Sequence, residues 1–119
     1  MTIVIILPWP HRGLSPNSRC HWSRKARAAK AARHEAGWAA LESGARALQA
    51  DALSVTLTFT PPSHRRMDLD NMLASVKPHL DSISEIVGVD DSKWSLALRR
   101  EEPRAPGSVK IEIQEAKAA

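Results

Sequence analysis

The chain has 119 residues, 43% hydrophobic and 25% charged, a globular balance with enough length to bury one core without staples. Its single cysteine, Cys20, excludes an internal disulfide and any cysteine-built zinc cluster, and points to a reducing cytoplasm. The net charge of +4 is uneven: residues 1–50 hold eight Lys/Arg against two Glu, while residues 51–119 hold nine against eleven Asp/Glu. A basic half suggests a polyanion partner. No apolar run approaches the roughly 18 residues of a membrane span, and no basic segment precedes the apolar N-terminus, so a soluble, unprocessed cytoplasmic protein with no membrane partner is expected.

Thr2 to Leu7 is a continuous aliphatic run that predicts a short strand buried on both faces, with an extended exit through Pro8-Trp9-Pro10. His11 to His21 carries loop signals and the cationic side chains Arg12 and Arg19. Trp22 to about Gln49 is Ala-rich and predicts a helix, capped by Ser18 or Ser23, with Arg24 and Lys25 in its cationic first half. Trp38, Leu41, Ala45 and Leu48 form an apolar stripe expected to face a sheet; Gly37 and Gly44 either weaken the helix or allow close packing. Leu53 to Thr60 alternates cleanly, with Leu53, Val55, Leu57 and Phe59 on one side, and predicts a half-buried strand.

Asp68 to about Val87 predicts a second helix. Its core face is Leu69, Met72, Leu73, Val76, Leu80, Ile83 and Val87, its N-cap Asp68, its kink Pro78 and its stop Gly88. A turn at Asp90-Asp91 leads into a strand from Trp94 to Arg100. After EEPRAPG, the alternating residues Val109, Ile111 and Ile113 mark the last strand, and 115–119 read as a frayed tail. The last two strands are expected to pair as an antiparallel hairpin. The order β-α-β-α-β-β predicts one α/β (α+β) domain spanning 1–119, with helices packed on a mixed sheet.

The chemistry concentrates in residues 65–91. Asp68 and Asp70 lie at a loop-to-helix junction behind Arg65 and Arg66, and Asp90 and Asp91 follow about twenty residues later. Oxygen donors gathered in a basic protein suit a hard cation such as Mg2+, which supplies the water activation and charge neutralisation that phosphodiester cleavage needs. Either Asp90 or Asp91 is a candidate to join Asp68 and Asp70. Whether they meet depends on the fold, because a straight 20-residue helix is about 30 Å long. Lys77 is a candidate for neutralising transition-state or leaving-group charge, or else forms a plain i, i+4 pair with Asp81. Arg12, Arg19, His21, Arg24, Lys25, Arg65, Arg66 and Lys93 are candidate phosphate contacts. None of His11, His21, His34, His64 and His79 has metal-ligand spacing, and each is expected to be surface or phosphate-facing.

The segments LPWP, SPNSRCHWSRKARA, RRMDLDNMLASVKPHLDSI and GVDDSKW, in this order over nearly the whole chain, resemble the RusA family of Holliday junction resolvases in its phage and prophage branch. The resemblance implies a homodimeric, Mg2+-dependent endonuclease, with Mn2+ a plausible substitute, that nicks four-way DNA junctions in pairs during recombination and repair. It carries Asp68, Asp70 and Asp91 over as metal-binding catalytic carboxylates and Asn71 as a supporting residue. The family's lysine position is held here by Ala74, and Lys77 one turn later is the candidate replacement. A non-catalytic nucleic-acid-binding protein and a nuclease for other branched DNA are the competing expectations.

Overall fold

The computed structural model describes residues 2–116. In chain order the elements are β1 (Thr2–Pro8), a 3-10 turn at Arg12–Leu14, α1 (Trp22–Glu42), β2 (Ala52–Thr60), α2 (Leu69–Ser75), α3 (Lys77–Val87), a second 3-10 turn at Asp91–Lys93, β3 (Trp94–Arg100) and β4 (Ser108–Ala116). The class is α+β, with helices against a four-stranded mixed sheet of order β1-β4-β2-β3.

The sheet order corrects the expected hairpin. β4 is antiparallel to both β1 and β2, and β3 lies on the far side of β2, parallel to it. Packing explains the choice. Val109, Ile111 and Ile113 of β4 register with Leu7, Ile5 and Ile3 on one side and with Phe59, Leu57 and Val55 on the other. Each cross-strand row is then aliphatic or aromatic throughout, and these nine side chains are all buried. β3 offers less: Leu96, beside Val55, remains 42% exposed, which suits an edge.

β1 is the other edge, and its side chains alternate between buried and exposed. Ile3, Ile5 and Leu7 enter the core, whereas Val4 and Ile6 are exposed, contrary to burial on both faces. A continuous apolar run cannot reveal that helices cover only one face of its sheet.

α1 begins under a different cap from either serine considered. The His21 ring nitrogen Nδ1 accepts the Ser23 N–H at 3.2 Å, while the Ser18 hydroxyl accepts the Cys20 N–H at 3.4 Å. The helix stops at Glu42 rather than near Gln49, because Gly44 takes a left-handed φ of 87° and the Ala45 N–H turns back to the Ala40 carbonyl. Its inward stripe is also different. Ala32, Ala36 and Ala40 are buried, while Trp38 and Leu41 are 59% and 57% exposed. Small side chains at i, i+4 and i+8 let α1 lie close on its neighbour, α3. A Cβ on Gly37 would sit 3.2 Å from the Ser82 hydroxyl, so that glycine serves close packing.

The predicted kinked helix is two helices. Val76, with φ −101° and ψ 3°, separates them, and Pro78 occupies the second position of α3, where its missing N–H costs no intrahelical bond. Met72, Val76, Leu80, Ile83 and Val87 fill the core as expected, and Leu73 packs against its edge; Leu69 is 37% exposed and lies outside it. Gly88 ends α3 with φ 72°. Of the expected tail, Glu115 and Ala116 instead extend β4 opposite Leu53 and Ala52, and 117–119 lie outside the described residues. Among the described residues no helix is long and apolar enough to cross a membrane.

Candidate functional site

Two features bear on function: the acids at α2, α3 and the second 3-10 turn, and a large basic cleft that Asp68 borders. Asp68 sits at the N-cap position of α2 in extended conformation. Its carbonyl accepts the Met72 N–H at 3.0 Å, but its carboxylate makes no capping bond, so the charge is not spent on the helix. Asp70, in the first turn of α2, is exposed and accepts the Asn71 N–H at 3.0 Å.

The second acidic pair divides into two roles. Asp90 accepts the Ser92 N–H at 3.0 Å and caps its own turn. The Ser92 hydroxyl, then the Ser92 N–H, hold its carboxyl below the usual range. Asp91 instead reaches across to the Lys77 ammonium, which also binds Asp81 at 2.8 Å. The turn is held where this is possible because the buried Val89 offers its carbonyl to the Ser84 hydroxyl at 3.0 Å and to the Trp94 indole N–H at 2.9 Å. Asp81 first, then Asp91, holds the Lys77 ammonium well above the usual lysine range. Lys77 thus makes the expected i, i+4 pair with Asp81 and, in addition, a link to the acidic turn.

Val76 separates α2, which carries Asp68 and Asp70, from α3, which carries Lys77. Asp91 lies a lysine's length from the first turn of α3, which directly follows the helix carrying Asp68 and Asp70. Even so, among the described residues no three His, Cys, Asp or Glu side chains gather into a ready-made metal cage. Asp68, Asp70, Asp90 and Asp91 therefore do not form a closed ligand set, and Lys77 occupies Asp91. The donors themselves, exposed carboxylates with no imidazole or thiolate among them, have the chemistry a hard divalent cation takes.

The cleft has a volume of about 1340 Å3 and lies between the 8–20 loop, one face of α1 and the 65–68 segment. Arg12, Arg24, Arg27, Arg65 and Arg66 line it, and among the described residues none of the five is in an ion pair. Asp68 and Asn71 stand on its wall. Its lip is anchored from β3, where Arg100 donates to the Met67 carbonyl at 2.7 Å. Five guanidiniums against the two carboxylates of Glu35 and Asp68 leave the lining net positive, a field that favours a polyanion.

Of the candidate phosphate and supporting residues, Arg12, Arg24, Arg65, Arg66 and Asn71 line this one cleft. Arg19, His21, Lys25 and Lys93 do not line the cleft; His21 is engaged in capping α1, and Lys93 lies beside Asp90. Two further residues of the cleft were not among the candidate contacts. Arg27 follows Arg24 by three, with Ala31 and Glu35 continuing the same face of α1, so the spacing was there to be read. His79 is the larger surprise. It is 2% exposed, not on the surface, and lines the cleft with an Nδ1 that has no hydrogen-bond partner. It follows Met72 by seven and Val76 by three, and so shares their buried stripe.

Burial pushes the His79 imidazole below its ordinary value of 6.5, opposed in part by the Val76 carbonyl, which approaches the ring without reaching hydrogen-bond geometry. The native state then binds fewer protons than the unfolded chain below about pH 6.5. Its contribution is complete above that pH and is lost as pH falls toward the folded value. Denaturant unfolding of wild type is expected to weaken on acidification by at most about 1.4 kcal/mol per pH unit from this group, a slope that His79→Leu removes. Equal slopes for the two proteins would contradict the assignment.

This end of the chain defines an α+β protein with a basic cleft bordered by carboxylates. An uncharacterized protein of Xylella fastidiosa is 39% identical over 118 residues, covering 92% of this chain and 74% of that protein, and the chain belongs to its family. No family model matches the chain.

Proposed function

We propose that the chain is a Mg2+-dependent endodeoxyribonuclease of the RusA kind, which resolves four-way DNA junctions as a homodimer. The observation that carries this reading is the cleft, in which five arginines, none in an ion pair among the described residues, lie beside the exposed Asp68 carboxylate. Arg12, Arg24, Arg27, Arg65 and Arg66 bind backbone phosphates and give affinity that falls steeply with salt. Asp68, Asp70 and Asp91 would hold Mg2+, or Mn2+ in its place, with Asp90 kept to its turn. When bound, the ion supplies water activation and charge neutralisation at the phosphoryl oxygens. Lys77 has to yield Asp91 for this, which frees its ammonium for a phosphate or leaving oxygen. Two sites related by a dimer axis match the two-fold character of a junction and allow paired nicks.

The test is incubation of an end-labelled four-way junction with Mg2+, comparing wild type with Asp70→Asn. Symmetric nicks by wild type alone support the proposal. Binding without nicking by wild type favours a non-catalytic nucleic-acid-binding protein, a reading that the Lys77–Asp91 contact encourages. Preference for flap over junction in competition would indicate a nuclease for other branched DNA.

Lys77 offers a separate check. An exposed ion pair is worth up to about 1 kcal/mol, or roughly fivefold in an equilibrium constant. Lys77→Met is expected to tighten Mg2+ binding by no more than about that factor in calorimetry. It should slow single-turnover nicking at saturating Mg2+ by about 10-fold or more, as loss of an electrostatic stabiliser does. Unchanged nicking would reduce Lys77 to a structural link.

A further inference from the structure

The cleft is deeper and less polar than phosphate binding alone requires. Phe59 and Met72, both at most 4% exposed, line its floor, and Trp9 meets Phe59 edge to face at 6.3 Å between ring centroids. His79 lies among them with its unpartnered Nδ1. A buried polar atom without a partner costs about 1–3 kcal/mol, so a nitrogen left in that state beside an open cavity marks a place where a ligand's polar edge belongs. The volume of about 1340 Å3 exceeds the roughly 300–1,000 Å3 of ordinary small-molecule pockets. It accommodates a base with its sugar and flanking phosphates. An apolar aromatic floor, one hydrogen-bonding nitrogen and a rim of guanidiniums together match an unstacked nucleotide: ring on the floor, base edge to the imidazole, phosphates to the arginines.

We propose that this cleft receives a single nucleotide extruded from the DNA branch point, with its base against Trp9 and the edge of that base hydrogen-bonded to His79. The inference rests on the branched-DNA reading above and adds to it a base-receiving pocket in the cleft that Asp68 borders. Duplex DNA must unstack a base to fill the pocket, and a branch point, where stacking is already interrupted, does so at the lowest cost. The pocket would therefore favour branched over linear duplex DNA, in addition to the salt-sensitive attraction of the arginines. Neutral His79 suits this role, since a neutral imidazole offers one donor and one acceptor nitrogen to a base edge.

The test uses the full chain in EDTA with a four-way junction carrying photoreactive iodouracil at the branch point. Irradiation is expected to crosslink Trp9, Met72 or His79, as mapped by mass spectrometry. Ala31 lines the cleft but is exposed, so Ala31→Trp occludes the cavity without touching the core. It should cut the crosslink at least tenfold and erase most of the preference for junction over linear duplex. His79→Phe keeps a ring in place without the nitrogens. It should lower that preference about three- to tenfold, the equivalent of one hydrogen bond, with melting curves confirming a folded variant. Junction binding with crosslinks only outside the cleft, or with a crosslink that Ala31→Trp leaves intact, overturns the pocket while leaving the nuclease reading standing. No junction binding at all overturns both.

Discussion

Asp91→Asn is expected to reduce junction nicking by about 10²–10³-fold or more, comparable to losing one preorganised electrostatic group in other enzymes. Asp90→Asn should change it less than about threefold. The two residues are adjacent and chemically identical, so only their placement separates them. Asp90 accepts the Ser92 N–H and caps its turn, a task the isosteric amide oxygen of Asn performs nearly as well. Asp91 faces α3, where its charge is already matched to the Lys77 ammonium. Removing that charge leaves one carboxylate fewer for a cation and releases Lys77 to Asp81 alone. Because the Lys77–Asp91 pair is largely exposed, with side chains 55% and 40% accessible, its loss should cost the fold no more than about 1 kcal/mol. Quantitative nicking assays alongside urea melts check both halves. Equal losses for the two variants would remove the distinction between a capping and a ligating acid.

Phe59→Ala is expected to destabilise the protein by about 3–5 kcal/mol, a large share of the roughly 5–15 kcal/mol that holds most domains together. Phe59 is fully buried at the end of β2, registers with Val109 and packs edge to face with Trp9. No neighbour can collapse into the space easily. One side is strand backbone and the other is the open cleft, which would enlarge. The corresponding fall in Tm is about 10–20 °C for a chain of this size. Phe59→Leu, which keeps most of the volume, should lose less than half as much. Calorimetry or chemical unfolding decides it, and a drop below about 1 kcal/mol for the alanine variant would mean the cleft floor relaxes freely.

The strand periodicities of β2 and β4 were legible because each strand has one face against helices and one against solvent, so alternation survives in the sequence. β1 misled because its edge position leaves Val4 and Ile6 exposed, and nothing in a run of aliphatics marks that face as uncovered. α1 misled in the opposite direction. Large residues on a helix are ordinarily its buried ones, but here close packing on α3 selects Ala32, Ala36 and Ala40 and turns Trp38 and Leu41 outward. The pairing of β3 was also invisible, since adjacency in sequence favours a hairpin and only the competition among all four strands places β4 between β1 and β2.

At the candidate site, local chemistry and long-range placement divide cleanly. Residue order by itself determined which side chains could act: the Asp68 and Asp70 pair at a helix start, the Asp90-Asp91 turn, the arginines before and after them, and the helix stop at Gly88. These follow from propensities and charges within a few residues of each other. Tertiary structure alone decided that Asp91 and not Asp90 meets Lys77, that Arg12, Arg24 and Arg27 face Arg65 and Arg66 across one cleft, and that His79 is buried at that cleft with an unpartnered nitrogen. Each of those outcomes joins segments far apart in the chain. Such contacts are selected by the burial of a shared core, and local sequence carries no direct signal of which distant surface a side chain will meet.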